Sequence, residues 1–207
     1  MSSAQTQFLQ LRLRHRSWLA RHRISDDGFG DSPASINLSA QLTMGLRARG
    51  ATVSYRGLAE LGLSIRQAWD AAAGNLINLA AGPAGTCFYL REARTITSVA
   101  SAAVQVRTPG APISAWLAHP RPFTILDGHL RDQVGDSIIY LLPSADCLIA
   151  AAVSDPRLGK LCDWLRHTAE NPIIRGGELI SAEPLVYLNG FPGSPASVMH
   201  RRTFLVA

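Results

Sequence analysis

Residues Tyr55–Ala81, YRGLAELGLSIRQAWDAAAGNLINLAA, hold the longest run of mutually consistent local signals in the chain. The stretch reads as a buried helix. Ser64 can accept a hydrogen bond from the backbone of Gln67 while the Gln67 side chain reaches back, so SIRQ has the spacing of a capping box. Ile65, Ala68, Trp69, Ala72, Ala73, Leu76 and Ala80 then recur at intervals of three and four, placing one apolar stripe along the helix. Gly82-Pro83 stops it. The alanines permit close approach and Trp69 supplies bulk, so the helix is expected to pack face-on against a sheet.

Outward from that helix, the chain reads as strands and helices in alternation. Thr86–Glu92, TCFYLRE, is rich in β-branched and aromatic residues and follows a turn. Pro120–Val134 spaces Phe123, Leu126 and Leu130 for one helix face. Ser137–Leu142 and Cys147–Val153 flank Pro143-Ser144-Ala145-Asp146, and both arms are almost continuously apolar. That pattern predicts a hairpin central in a sheet and covered on both faces. Asp155-Pro156 opens a further helix with its stripe on Leu158, Leu161, Cys162, Leu165 and Ala169, and Asn171-Pro172 ends it. Glu183–Leu188 is strand-like, Asn189–Ser197 reads as a loop, and Val198–Val206 as an edge strand. Before the helix, Ile36 begins a strand turning into a helix that ends by Arg49, with Gly50 as its C-terminal signal. The expected fold is therefore α+β, a single domain over residues 26–207, with a largely antiparallel sheet of about four to six strands packed against two or three helices.

Composition sets outer bounds. At 207 residues and 47% hydrophobic the chain can bury a core without disulfides or metal. It has no uninterrupted apolar run of about eighteen residues, so no membrane span is expected, and its basic N-terminus lacks the apolar segment of a secretory signal. Cys87, Cys147 and Cys162 are odd in number and widely spaced, which predicts neither a disulfide framework nor a zinc site and fits a reducing cytoplasm.

Charge is concentrated at one end. Of the 20 basic residues, Arg12, Arg14, Arg16, Arg21 and Arg23 precede the first acidic residue, Asp26, and the other fifteen meet all 15 acidic ones. The net charge of +5 thus belongs to residues 1–25, an Arg-rich arm over which Gln5–His22 is expected to be helical, with Phe8, Leu11, Trp18 and Leu19 on one side. Five guanidiniums on one helix suit a phosphate backbone, an anionic membrane surface or an acidic protein. The same pattern also describes a solvated helix docked by its aromatic edge. A nucleic-acid partner is not favoured, because the body offers no continuing basic patch and no aromatic-rich recognition motif.

From the central helix onward, the order of elements resembles an uncharacterised bacterial family with a domain of unknown function, the YtpQ-like group. The resemblance rests on AWDAAAGNL in the helix, CFYL in the next strand, LLPSADCLIAAAV in the hairpin, KLCDWL in the later helix and PLVYLNG near the end. It covers roughly the second two-thirds of the chain; the N-terminal third is shorter and more basic than that family's usual region. It implies a fold and carries no activity, cofactor or catalytic residue.

The motifs that would force a reaction class are missing from the sequence, which has no Gly-Lys-Ser/Thr phosphate loop, dinucleotide fingerprint, HExxH helix or nucleophile elbow. Lys160 is the sole lysine, so Schiff-base chemistry would rest on it alone. Asp26, Asp27 and Asp31 cluster without the remaining spacing of a calcium loop. The densest polar group is Asp127, His129, Asp132 and Asp136 in DGHLRDQVGD, where on a helix His129 and Asp132 share a face and Arg131 offers a salt-bridge partner. Cys162 and His167 do not face each other well, and His119 and His200 read as surface residues. Two functions follow. The leading one is a non-enzymatic protein-interaction or adaptor domain that meets its partner through the N-terminal arginines or a sheet edge. The alternative is an enzyme with a site of scattered polar residues around Asp127, His129 and Asp132. No cofactor and no metal are expected in either.

Overall fold

A computed structural model describes residues 6–21, 32–83 and 85–196. The central stretch breaks into two helices. Tyr55–Glu60 is capped by Ser54, whose hydroxyl accepts from the Gly57 amide at 3.1 Å, and Gly62, at φ +65°, separates it from the longer helix. Ile65–Leu79 carries the predicted capping box, with Ser64 Oγ accepting from the Gln67 amide at 3.2 Å and Gln67 Oε1 from the Ser64 amide at 2.9 Å. Ala68, Ala72, Ala73 and Leu76 are its buried face.

That face meets β1, Leu9–His15. Here the expected Arg-rich helix over Gln5–His22 is corrected, since Leu9–His15 is a strand and, among the described residues beyond it, the helix is confined to Ser17–Arg21. The reason is periodicity. In LQLRLRH, Leu9, Leu11 and Leu13 are buried and the residues between them are not, an alternation of two that a strand satisfies and a helix would scatter. β1 pairs antiparallel along its whole length with β3, Leu42–Ala48. The expected helix ending by Arg49 is therefore also a strand. Arg49 and Gly50, at φ +48° and +86°, form a two-residue hairpin turn into β4, Ala51–Thr52, so the glycine marks a hairpin and not a helix end. β2, Ser35–Asn37, pairs with the other edge of β3. Residues 9–15 thus belong to a sheet of the body. Arg23, Asp26, Asp27, Asp31, His200, Arg201, Arg202 and the expected strand over Val198–Val206 lie outside the described residues, as does the side chain of Arg21.

Beyond the small β-ribbon β5–β6 (Ala81–Gly82 and Gly85–Thr86), the rest of the strands form one six-stranded antiparallel sheet, ordered β12-β11-β9-β10-β8-β7. These are Tyr89–Glu92 (β7), Val104–Arg107 (β8), Ile138–Ser144 (β9), Cys147–Ala152 (β10), Leu185–Leu188 (β11) and Phe191–Gly193 (β12). The β9–β10 hairpin is central, as predicted, and every residue of β9 is buried. Its two faces enter two cores. Ile138, Tyr140, Leu142, Leu148 and Ala150 join Trp116, the Pro120–Val134 helix, β1, β3 and the Ile65–Leu79 helix. Ile139, Leu141, Ile149 and Ala151 meet Leu161 and Leu165 of the Leu158–Glu170 helix. No helix among the described residues is long and apolar enough to cross a membrane.

The segment after β11, read as a loop, is a second tight hairpin. Asn189 and Gly190, at φ +51° and +90°, turn β11 into β12, and a Cβ on Gly190 would stand 2.6 Å from Pro120 Cβ. Gly190→Ala is expected to destabilise the fold by on the order of 1–3 kcal/mol from the backbone conformation alone, with the collision against the rigid proline ring added. Urea unfolding beside Asn189→Gly, which keeps the turn and leaves stability nearly unchanged, checks this.

Candidate binding cleft

Strand parity builds a wall of arginines. In β7, β8 and β10 the pairs Tyr89↔Arg107, Arg91↔Gln105 and Leu148↔Val106 stand opposite one another. Leu90, Val104, Val106 and Leu148 turn toward the first core. Arg91, Gln105, Arg107 and Cys147 consequently lie on the other face, the one the Leu158–Glu170 helix covers. That cover is incomplete. Leu161 and Leu165 seal the apolar part, while Trp164 and Thr168 look onto the polar end.

The gap is closed around its rim by two other segments. After the short helix Pro172–Arg175, Gly176 at φ +68° turns the chain so that Arg175 and Glu178 line the opening. Arg175 is anchored by Nε donating to Gly177 O at 2.7 Å and by Nη1 donating to Ala169 O. Arg14 enters from β1 and pairs with Glu178. The result is a cleft of about 340 Å³ in which Arg14, Arg91, Arg107 and Arg175 face two carboxylates, Asp146 and Glu178. A smaller cavity of about 220 Å³ lies beyond a wall formed by Arg107 and Asp146. A wider depression of about 750 Å³ near Pro156 is open; residues 100–103 supply alanine and serine to its lining, and its charges, Glu92 and Asp155 against Arg94 and Arg157, balance, so it has no surplus of either sign.

Several donors in the cleft are unused. Arg91 Nε donates to Gln105 Oε1, but Arg14 Nε and Thr168 Oγ1 are buried without a hydrogen-bond partner among the described residues. Thr168 is only 2% exposed. The field is cationic. Burial, then Arg47 and Arg14, depress the pKa of neighbouring Arg12, with Asp146 opposing them. Cys147 shows which effect wins for a neutral group, because burial pushes its thiol up to about 11 although Arg107 and Arg91 pull it down. It is therefore a thiol, not a thiolate nucleophile, at neutral pH.

The residues singled out in the sequence are dispersed. Of the five arm arginines, Arg14 lines the cleft, Arg12 stands beside it and Arg16 is exposed. Asp127 is buried, accepting from Tyr140 Oη at 2.7 Å and from Arg131 Nε at 2.7 Å. His129 stacks on Phe88 with ring centroids 5.0 Å apart, and Asp132 is exposed, so the three do not share a site. Asp136 accepts from the Ser154 hydroxyl at 2.6 Å and from the Ser137 and Ser154 amides, which hold its carboxyl below the ordinary range and tie the start of β9 to the end of β10. Among the described residues no three His, Cys, Asp or Glu side chains are grouped to hold a metal ion.

His119 is not the surface residue expected. It caps the Pro120–Val134 helix, with Nδ1 accepting from the Arg121 amide at 3.0 Å, which fixes the proton of the neutral ring on Nε2, where it meets Asp70 Oδ1 at 3.0 Å. Both nitrogens are committed, so neither is left to act as a base. Comparison with protein-family models, curated proteins and solved structures finds no match, and nothing in it bears on the YtpQ-like resemblance.

Two outcomes follow. Tyr140→Phe strips Asp127 of a buried donor and is expected to cost about 1–3 kcal/mol in urea unfolding. Burial lowers the His119 pKa below its usual 6.5 against the pull of Asp70, so the unfolded chain binds this proton more readily than the folded one. Its contribution to stability is complete above the unfolded value and is lost as pH falls through the folded one. His119→Asn keeps a capping acceptor, and the difference in stability between it and the unsubstituted protein is expected to shrink from pH 7.5 to pH 5.5.

Proposed function

We propose that this chain is a non-enzymatic interaction domain that binds an acidic segment of a partner protein in the arginine-lined cleft. The observation that carries this reading is the convergence of Arg14, Arg91, Arg107 and Arg175, from four separate elements, on one cavity with two opposing carboxylates. Arginine is the side chain best matched to carboxylate and phosphate oxygens, through paired N–H donors in a fixed fork. The Arg107 guanidinium makes no hydrogen bond or ion pair among the described residues, which leaves its donors open to a ligand. The partner contact shifts from the arm as a whole to Arg14 alone within this cleft. An enzyme organised around Asp127, His129 and Asp132 has less support, since Asp127 is engaged by Tyr140 and Arg131.

Fluorescence anisotropy of the full chain with a labelled Asp/Glu-rich peptide tests the reading. Binding is expected to weaken steadily as salt rises from 50 to 300 mM, as exposed charge attraction does over such a change in about the Debye length. Arg107→Glu is expected to weaken it by roughly tenfold or more while the melting temperature holds. Equal binding of a neutral peptide of the same length, or indifference to Arg107→Glu, would remove the reading.

A further inference from the structure

We infer that the group this cleft takes is a phosphate monoester carried on the bound segment, a phosphoserine or phosphothreonine side chain; the inference rests on the acidic-partner reading above. A carboxylate brings one negative charge and two oxygens. The cleft offers four guanidiniums against two carboxylates, a surplus of two positive charges, which a phosphate monoester with about −1.5 to −2 charge at neutral pH neutralises and one carboxylate does not.

The donor count points the same way. Beyond whatever the guanidinium ends supply, two donors inside the cleft have nothing to bond, Arg14 Nε and Thr168 Oγ1. Thr168 is almost wholly buried on a helix whose neighbouring turns are packed into the second core, so its hydroxyl cannot swing out to water. An unpaired buried hydroxyl costs stability, and a tetrahedral anion with three acceptor oxygens in the cleft gives both donors a partner.

Size and rim favour a phosphate presented on a chain. A cleft of about 340 Å³ exceeds what an inorganic phosphate fills and suits a modified side chain with its flanking atoms. At its mouth Ile174 is half exposed, and Ile173 beside it is 91% exposed, an apolar pair positioned to meet a residue next to the phosphorylated one. Trp164 lines the same cavity and supplies further apolar area. None of this would be needed for a free oxyanion.

The test uses the full chain and three immobilised peptide libraries with degenerate flanks and a fixed centre of phosphoserine, glutamate or serine, with phenyl phosphate as a free monoester probe in a thermal-shift assay. The phosphoserine library is expected to be retained at least about tenfold better than the glutamate library. Thr168→Val is expected to reduce that retention by about tenfold without lowering the melting temperature, because the hydroxyl it removes bonds to nothing in the unliganded protein. Arg107→Met gives a second variant that touches no folding contact of its own. Equal retention of phosphoserine and glutamate libraries overturns the phosphate inference and leaves the acidic-partner reading standing. Stabilisation by phenyl phosphate with no retention of any library keeps the phosphate site and removes the protein partner. No response to any of these probes removes both.

Discussion

β9 is buried on both of its faces, and most of the architecture is a consequence of that constraint. A strand whose seven residues are all out of water must sit inside a sheet, have its backbone groups paired on both edges, and be covered above and below. β10 and β11 pair its edges. The Pro120–Val134 helix covers one face through Phe123 and Leu126, and the Leu158–Glu170 helix covers the other through Leu161 and Leu165. A helix stripe is narrower than a six-stranded sheet, so the second cover runs out before the sheet does. The strand positions it leaves bare carry Arg91 and Arg107, with Gln105 buried between them, and the cleft is the space beside the edge of that cover.

What brings Arg14 to this place is a different set of contacts. Asn75, on the Ile65–Leu79 helix, donates through Nδ2 to Thr6 O at 2.7 Å and Leu9 O at 3.0 Å, pinning the beginning of β1 to the helix. On the far face of the same sheet the Trp18 ring lies against Gly45, where a Cβ would come within 3.0 Å of it, and the Arg14 guanidinium stands 5.7 Å from that ring. A cation held against an aromatic face loses some of its freedom before any ligand arrives. The N-terminal arginines are thus partly structural. β1 is a strand because its leucines alternate, and Arg12 and Arg14 are gathered on one face by the same alternation.

The parts of the fold legible in the sequence are those whose signals are local. SIRQ fixes the start of the Ile65–Leu79 helix, and the paired apolar runs around Ala145-Asp146 fix the central hairpin, because cap and turn chemistry act within a few residues. The readings that failed weighed spacings of three and four above a simple alternation, in Leu9–His15 and again in Leu42–Ala48, or passed over the Asn189-Gly190 turn signal that the sequence carried in plain form. The cleft was hidden for another reason. Arg14, Arg91, Arg107 and Arg175 have no spacing in common, and only the sheet register places two of them on one face. DGHLRDQVGD looked like a site because its residues are close in sequence, yet a helix turns successive side chains about its axis and sends Asp127 inward to Tyr140 while Asp132 faces water.

The chemical character of the cleft is what favours the proposed binding role over a catalytic one. General acid–base work needs a group that trades its proton near neutral pH, and nucleophilic work needs an ionised or activated nucleophile. Guanidinium groups keep their protons there, and Cys147 keeps its own because burial outweighs the two arginines beside it. Among the described residues the histidine with a carboxylate partner, His119, spends Nδ1 on a helix cap and Nε2 on Asp70. What remains in the cleft is an excess of fixed positive charge over the carboxylates of Asp146 and Glu178, with hydrogen-bond donors and apolar surface. Such a set can hold an anion and orient the chain that bears it, which is the chemistry the proposed binding role draws on.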